Sequence, residues 1–261
     1  MSTLNRLLDS SSPEGAGRAP ARAFTVKTRR GALVFGSRTL VMGVLNVTPD
    51  SFSDGGRFAG PEAALAQARR LAEEGADVID VGGESTRPGA AAVSAGEEMA
   101  RVLPVIDRLA NALSVPLSID TMKAEVAEAA LRAGAAIVNV VGALRIDPRI
   151  ADVAAREEAA LVLMHMKGTP ATMKDEARYP RGVMAEIIGD LTDAIAAAEA
   201  RGVDRERIIV DPGLGFGKRA AHTLEALGRL GELRSLGRPI LVGPSRKSFI
   251  GEVTGLPVAE R

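Results

Sequence analysis

The chain has no cysteine, few aromatic residues, no excess charge of either sign and no long apolar run. Without cysteine there are no disulfides and no thiolate chemistry, which fits a reducing compartment. Lys plus Arg number 33 and Asp plus Glu number 33, so formal net charge is +0 and no electrostatic footprint for nucleic acid or an anionic membrane exists. No apolar run approaches the roughly 20 residues that span a bilayer. The N-terminus lacks the apolar core of a signal peptide, and the expectation is a cytoplasmic protein. Aromatics make up only 3%, so the 46% hydrophobic content rests on Ala, Val, Leu and Ile. That composition suits buried parallel strands covered by helices.

What is present is alternation. Seven short apolar runs each stop at residues able to handle phosphate, metal or a proton. They are Val41–Leu45 before Asn46, Val78–Val81 with Asp80, Leu117–Ile119 before Asp120, and Ile137–Val138 before Asn139. Leu161–Met164 precedes His165, Ile208–Val210 precedes Asp211, and Ile240–Val242 precedes Gly243-Pro244-Ser245-Arg246-Lys247. Helical segments are expected over Pro61–Gly75, Ser94–Leu113, Lys123–Gly134, Asp147–Ala159, Val183–Gly202 and Leu224–Gly237, most ending at a glycine. In a parallel α/β fold the strand C-termini and the loops leaving them share one mouth, so these polar ends describe a pocket.

The expected architecture is a TIM (β/α)8-type barrel over residues 24–261, one domain preceded by a disordered lead-in over 1–23 rich in Ser, Pro, Gly, Ala and Arg. Phe24–Val26 and Leu33–Phe35 read as a hairpin that plugs the barrel bottom. Only seven strands are countable before Arg261. Either the chain is a fragment, or a partner or an irregular arrangement covers the gap. A fragment with an open seam would be less stable and close to inactive.

The loops carry the chemistry. Asn46 to Gly56 is long and polar, and reads either as a mobile active-site loop or as ordinary surface turns. Asp80 to Gly89 places Gly82-Gly83 where backbone must come close to a neighbour, then presents Arg87, a rigid fork suited to carboxylate or phosphate. Asp211 to Lys218 lacks P-loop spacing and reads as a rigid glycine-rich shelf that holds Asp211 at a strand end. Ser245-Arg246-Lys247-Ser248 follows the seventh run, where barrels often bind phosphate, although such a run can also be a solvated turn. His165 reads as a satisfied core histidine, and His222 as a surface residue at a helix start.

From Leu40 to Gly255 these motifs, in this order, resemble those of dihydropteroate synthase. The matching segments are Met42 to Gly56, Asp80 to Gly89, Ser118 to Thr121, Leu163 to Met166, Asp211 to Lys218 and Ser245 to Ser248. The resemblance implies a TIM barrel that joins a dihydropterin diphosphate to p-aminobenzoate and releases pyrophosphate, working as a homodimer. It implies that Asp120, Asn139, Asp211, Lys247 and Met164 bind the pterin. Thr86, Arg87, Pro88, Phe52, Phe216 and Ser245 would surround p-aminobenzoate, with Arg87 and Lys247 assisting catalysis. Asn46 would contact Mg²⁺, the implied cofactor.

The chain departs from that family at three places. Val140 stands where the family has Asp, and Thr223 follows His222 where it has Asn. The family's final strand, with an Arg-x-His element, has no counterpart here. Two other readings stay open: a non-catalytic pterin-binding homologue, and a methyltetrahydrofolate-dependent methyltransferase.

Overall fold

Phe24–Thr28 (β1) and Gly31–Phe35 (β2) pair antiparallel, with Phe24 opposite Phe35 and Thr28 opposite Gly31. Gly31 closes the turn at φ 119°, a value that L side chains avoid. Each strand buries one side chain, Val26 or Leu33. Both enter an apolar cluster with Val78, Ile137, Val162 and Ile209, so the hairpin plugs the barrel bottom as expected. The structure, a computed structural model, describes residues 23–48, 61–86 and 91–261. The lead-in expected over 1–23 therefore falls outside the described residues, apart from Ala23.

The main sheet is parallel and in chain order, as expected for a TIM-type barrel. It runs β3 (Met42–Asn46), β4 (Val78–Gly82), β5 (Leu117–Asp120), β6 (Ile137–Val141), β7 (Ala160–Met164) and β8 (Ile208–Asp211). Helices α1 (Pro61–Glu73), α2 (Ala95–Ala112), α3 (Ala124–Arg132), α4 (Arg149–Arg156) and α5 (Val183–Ala200) connect them, and α6 (Ala220–Gly228) and α7 (Ser248–Thr254) follow β8. Ser94 starts α2 by accepting the Glu97 N–H at 3.2 Å, which satisfies one of the four free donors of a helix start. Among the described residues no helix is long and apolar enough to cross a membrane.

Two expectations need correction. The seventh strand at Ile240–Val242 is reduced to one bridge, Ile240 opposite Val210. The Val210 N–H donates to the Pro239 carbonyl at 3.0 Å and the Leu241 N–H to Val210 at 2.8 Å. Pro239 has no N–H, and Gly243-Pro244 follows, so little chain is free to extend the ladder. The helix expected over Leu224–Gly237 begins at Ala220 and stops at Gly228, and Leu230–Leu236 continues as a 3-10 turn. Gly228 and Gly231 weaken the α form there. Among the described residues no strand pairs with the outer edge of β3, where Val41 and Val44 are 53% and 59% exposed.

Along β5 to β8 alternate residues face opposite ways. Ile119, Val138, Val140, Leu161, Leu163 and Val210 are buried among the helices. Their neighbours Asp120, Asn139, Val162, Met164 and Asp211 line the barrel interior.

Candidate functional site

The pairing register sets the site. Asn46 stands opposite Gly82, Gly82 opposite Asp120, and Asp120 opposite Asn139, so one ladder row carries three polar ends across four strands. Two residues further along, Val141 pairs with Met164 and Met164 with Asp211. The stagger of the barrel thus raises Asp211 above Asn139 and gives the mouth a sloping polar edge.

That edge is rich in acceptors. Asp80 is 4% exposed, and its Oδ2 accepts the Asn139 Nδ2–H at 3.0 Å. Asp80 Oδ1 and Asp120 Oδ1 are buried with no hydrogen-bond partner. Burial, reinforced by the charges of Asp80, Glu98 and Glu84, holds the Asp120 carboxyl well above the usual carboxylate range. Asp211 Oδ1 accepts the Gly213 N–H at 2.6 Å, and burial still pushes this carboxyl up to about 6. Carboxylates kept from water without full pairing are costly, and a ligand bringing N–H donors would relieve them.

Facing this edge is an apolar wall. Val141, Met164, Met166 and Met173 are buried together, with Met122 and Phe216 packed against them. The Lys247 Nζ sits 3.7 Å from the centroid of the Phe216 ring, a cation–π contact. Burial holds the Lys247 ammonium below its usual pKa, against the pull of Asp211 and Asp120. The preceding residue, Arg246, takes φ 58°, a left-handed conformation that costs a non-glycine residue energy. Such strain gathers where a side chain must be aimed.

The cavity between these walls is ≈ 2090 Å³ and reaches down to Leu33 and Phe35 of the hairpin. Ligand clefts usually run about 300–1,000 Å³. The structure brings Asn46, Thr86, Asp120, Asn139, Met164, Asp211, Phe216, Ser245 and Lys247 onto this one cavity. Phe52, Arg87 and Pro88 lie outside the described residues.

Of the two glycines expected to meet close neighbours only Gly83 does, because a Cβ there would lie 2.6 Å from Val102 Cγ1 and 3.1 Å from Glu98 Cγ, so α2 packs on bare backbone, whereas a Cβ on Gly82 would meet nothing nearer than Asn46 Oδ1 at 3.5 Å. Glu98 and Lys123 carry no signal that the motifs reveal. The Lys123 Nζ donates at 2.6 Å to both Glu84 and the fully buried Glu98, bracing the loop after β4 against α2 and α3. Val140 belongs to the face under the helices, so the departure there does not touch the cavity. Thr223 is fully buried in α6, its hydroxyl without a partner. His165 is buried as expected. His222 sits half-buried in the first turn of α6, its ring edge-on to Tyr179 at 4.9 Å.

Among the described residues no group of three His, Asp or Glu could hold a metal. Asn46 is exposed at the mouth and fits Mg²⁺ only as one oxygen among several that a diphosphate and water would supply.

Residues 42–261 match the family described as pterin binding enzyme. The dihydropteroate synthase of Bacillus subtilis is 45% identical over 236 residues, covering 90% of this chain and 80% of that protein. Xanthomonas albilineans dihydropteroate synthase, solved with 4-aminobenzoic acid, aligns at TM-score 0.84 and 47% identity over 92% of this chain and 84% of that one. The same enzyme in complex with 7,8-dihydropteroate aligns at TM-score 0.77 and 46% identity over 87% of this chain and 80% of that one. The chain belongs to the pterin binding enzyme family, and within it to the dihydropteroate synthases.

Proposed function

We propose that this chain condenses 6-hydroxymethyl-7,8-dihydropterin diphosphate with p-aminobenzoate, giving 7,8-dihydropteroate and pyrophosphate for folate biosynthesis, as one barrel domain over 24–261. The observation that carries the reading is the row of buried, under-paired acceptors facing a methionine wall. A flat heterocycle with a donor-rich edge fits it, since the carboxyls of Asp120 and Asp211 and the amide of Asn139 line one cavity and Asp120 Oδ1 has no partner within the protein. Met164 and its neighbours cover one face of the ring.

No protein nucleophile is needed. The methylene C–O bond breaks and its electron pair leaves with pyrophosphate, while the buried carboxylates stabilise the pterin cation left behind. Lys247 and Arg87 meet the growing charge, and Asn46 would hold Mg²⁺, which supplies further positive charge to the departing oxygens when bound. The aniline nitrogen of p-aminobenzoate then forms the new C–N bond and releases its proton to water. Phe216 and Ser245 orient that ring, and Thr86, Pro88 and Phe52 are further candidates for contact with it.

Incubating the purified chain with both substrates and Mg²⁺, and measuring pyrophosphate and dihydropteroate together, tests the reading. One-to-one formation of both products is expected. Tight pterin binding without pyrophosphate would leave a binding homologue, and methyl transfer from methyltetrahydrofolate would replace the synthase reading. Light scattering tests the homodimer, and a monomer at active concentrations would remove it.

A further inference from the structure

Lys218 closes the glycine-rich loop after β8 and folds its side chain back underneath. Its Nζ lies 2.8 Å from His165 Nδ1, 3.0 Å from the Gly213 carbonyl oxygen and 3.2 Å from the Phe216 carbonyl oxygen. An ammonium group has three donors, and three acceptors surround this one. His165 is itself set up to accept. Burial pushes its imidazole down to about 4, so it is neutral at pH 7. Asp190 Oδ2 lies 3.2 Å from Nε2, without the alignment of a hydrogen bond, and favours the proton on that nitrogen. The Nδ1 lone pair then faces Lys218.

The loop has no slack around this cation. Gly213 and Gly217 take φ 64° and 58°. A Cβ on Gly213 would fall onto the His165 carbonyl oxygen, and one on Gly217 would lie 2.8 Å from the Lys167 nitrogen. The two carbonyls held by Lys218 belong to residues that control the cavity: the Gly213 N–H holds the Asp211 carboxylate, and Phe216 carries the ring under Lys247.

We infer that Lys218 is a positioning residue for both substrates, seated on His165 and fixing through two backbone carbonyls the Asp211 carboxylate for the pterin and the Phe216 ring for p-aminobenzoate. The inference rests on the function proposed above. It differs from a merely structural role in its pH signature. Burial pushes Lys218 down to about 7, with Asp211 and Asp190 pulling up and Arg145 and Lys247 pulling down. His222 also feels this charge. Between that value and the ordinary 10.5 of a lysine, the unfolded chain binds a proton that the folded one does not, so this group's contribution to stability rises with pH. Over the same interval the ammonium becomes an amine with two N–H groups, and one of its three acceptors loses its donor. Ligand affinity should therefore fall while this stability contribution rises, whereas a structural role would move both together.

Turnover by the unaltered protein tests the proposed function first, and the variants then test this inference separately. Lys218→Met, folded by circular dichroism, should bind 7,8-dihydropteroate about tenfold more weakly in calorimetry and raise KM for p-aminobenzoate about tenfold, with kcat changed less. His165→Gln should give a smaller loss of the same kind. The unaltered protein should lose about threefold in dihydropteroate affinity between pH 7 and 9, a slope absent from Lys218→Met. If Lys218→Met does not fold, His165→Gln and the pH profile of the unaltered protein decide. Constants within twofold of the unaltered protein in every folded variant, or affinity that follows stability upward with pH, would overturn the inference.

Discussion

The two faces of β5 to β8 are built from adjacent residues and do opposite jobs. Toward the helices, Ile119, Val138, Leu161, Leu163 and Val210 are almost wholly buried and wholly apolar. Toward the interior, Asp120, Asn139 and Asp211 sit one position away, the two carboxyls raised from their ordinary pKa by burial and Asp120 Oδ1 without a partner. One face supplies folding free energy by transfer from water, and the other spends some of it to hold a ligand edge ready. Since the pleat alone separates them, a change of one residue number should exchange a stability phenotype for a binding phenotype.

The largest effect is expected on the helix face. Leu161→Ala should lower unfolding free energy by about 2–5 kcal/mol in denaturant titrations, with pterin affinity of the folded protein unchanged. A large affinity loss in this variant at conditions where it stays folded would break the comparison. On the interior face, Asp211→Asn should weaken pterin binding by about 1–3 kcal/mol while the ligand-free protein melts no lower at pH 7. Calorimetry showing unchanged affinity would take Asp211 out of the site.

The pH dependence sharpens the same contrast. Asp211 is raised from 3.8 to about 6, so the folded state binds its proton first, and stability from this group increases as pH falls from about 6 toward 3.8. Asp211→Asn lacks that gain. Its thermal midpoint advantage over the unaltered protein should shrink across the interval, and a constant difference would refute the burial argument. His165, lowered from 6.5 to about 4, acts in the opposite sense in both proteins and cancels from the difference. The smallest effect concerns Thr223, whose buried hydroxyl has no partner. Thr223→Val should raise stability by up to about 1 kcal/mol and leave turnover alone. A loss of stability would mean that the hydroxyl has a role the packing does not reveal.

The strand ends were legible because an apolar run that halts at Asp, Asn or His marks both a buried strand and its mouth, and the order of long loop motifs carried the family. The Lys218 cluster was not legible, since His165 and Lys218 are 53 residues apart and meet only through the stagger of β7 and β8. Glu98 belongs to no motif, and its burial depends on Gly83, which lets the first turn of α2 approach so closely that the acid is fully enclosed. Ile240–Val242 has the composition of a strand, but Pro239 and Gly243-Pro244 bound it too tightly for a ladder. Helix propensity over 224–237 likewise lost to two glycines.

The thioether wall has a consequence for selectivity. Met164 and Met173 line the cavity and are backed by Met122 and Met166, unbranched, polarizable side chains that can re-pack around a changed outline at little cost. Discrimination among bicyclic compounds should then reside in the pattern of donors along one rim of the ring, not in its silhouette. Heterocycles that keep that pattern but differ in bulk toward Met164 and Met173 should compete for the cavity within about a tenfold range, since a methylene-sized change there is worth about 1 kcal/mol. Those that lose a single rim donor should fall well below them, and an inhibition series ranked by bulk instead would show the wall to be stiff.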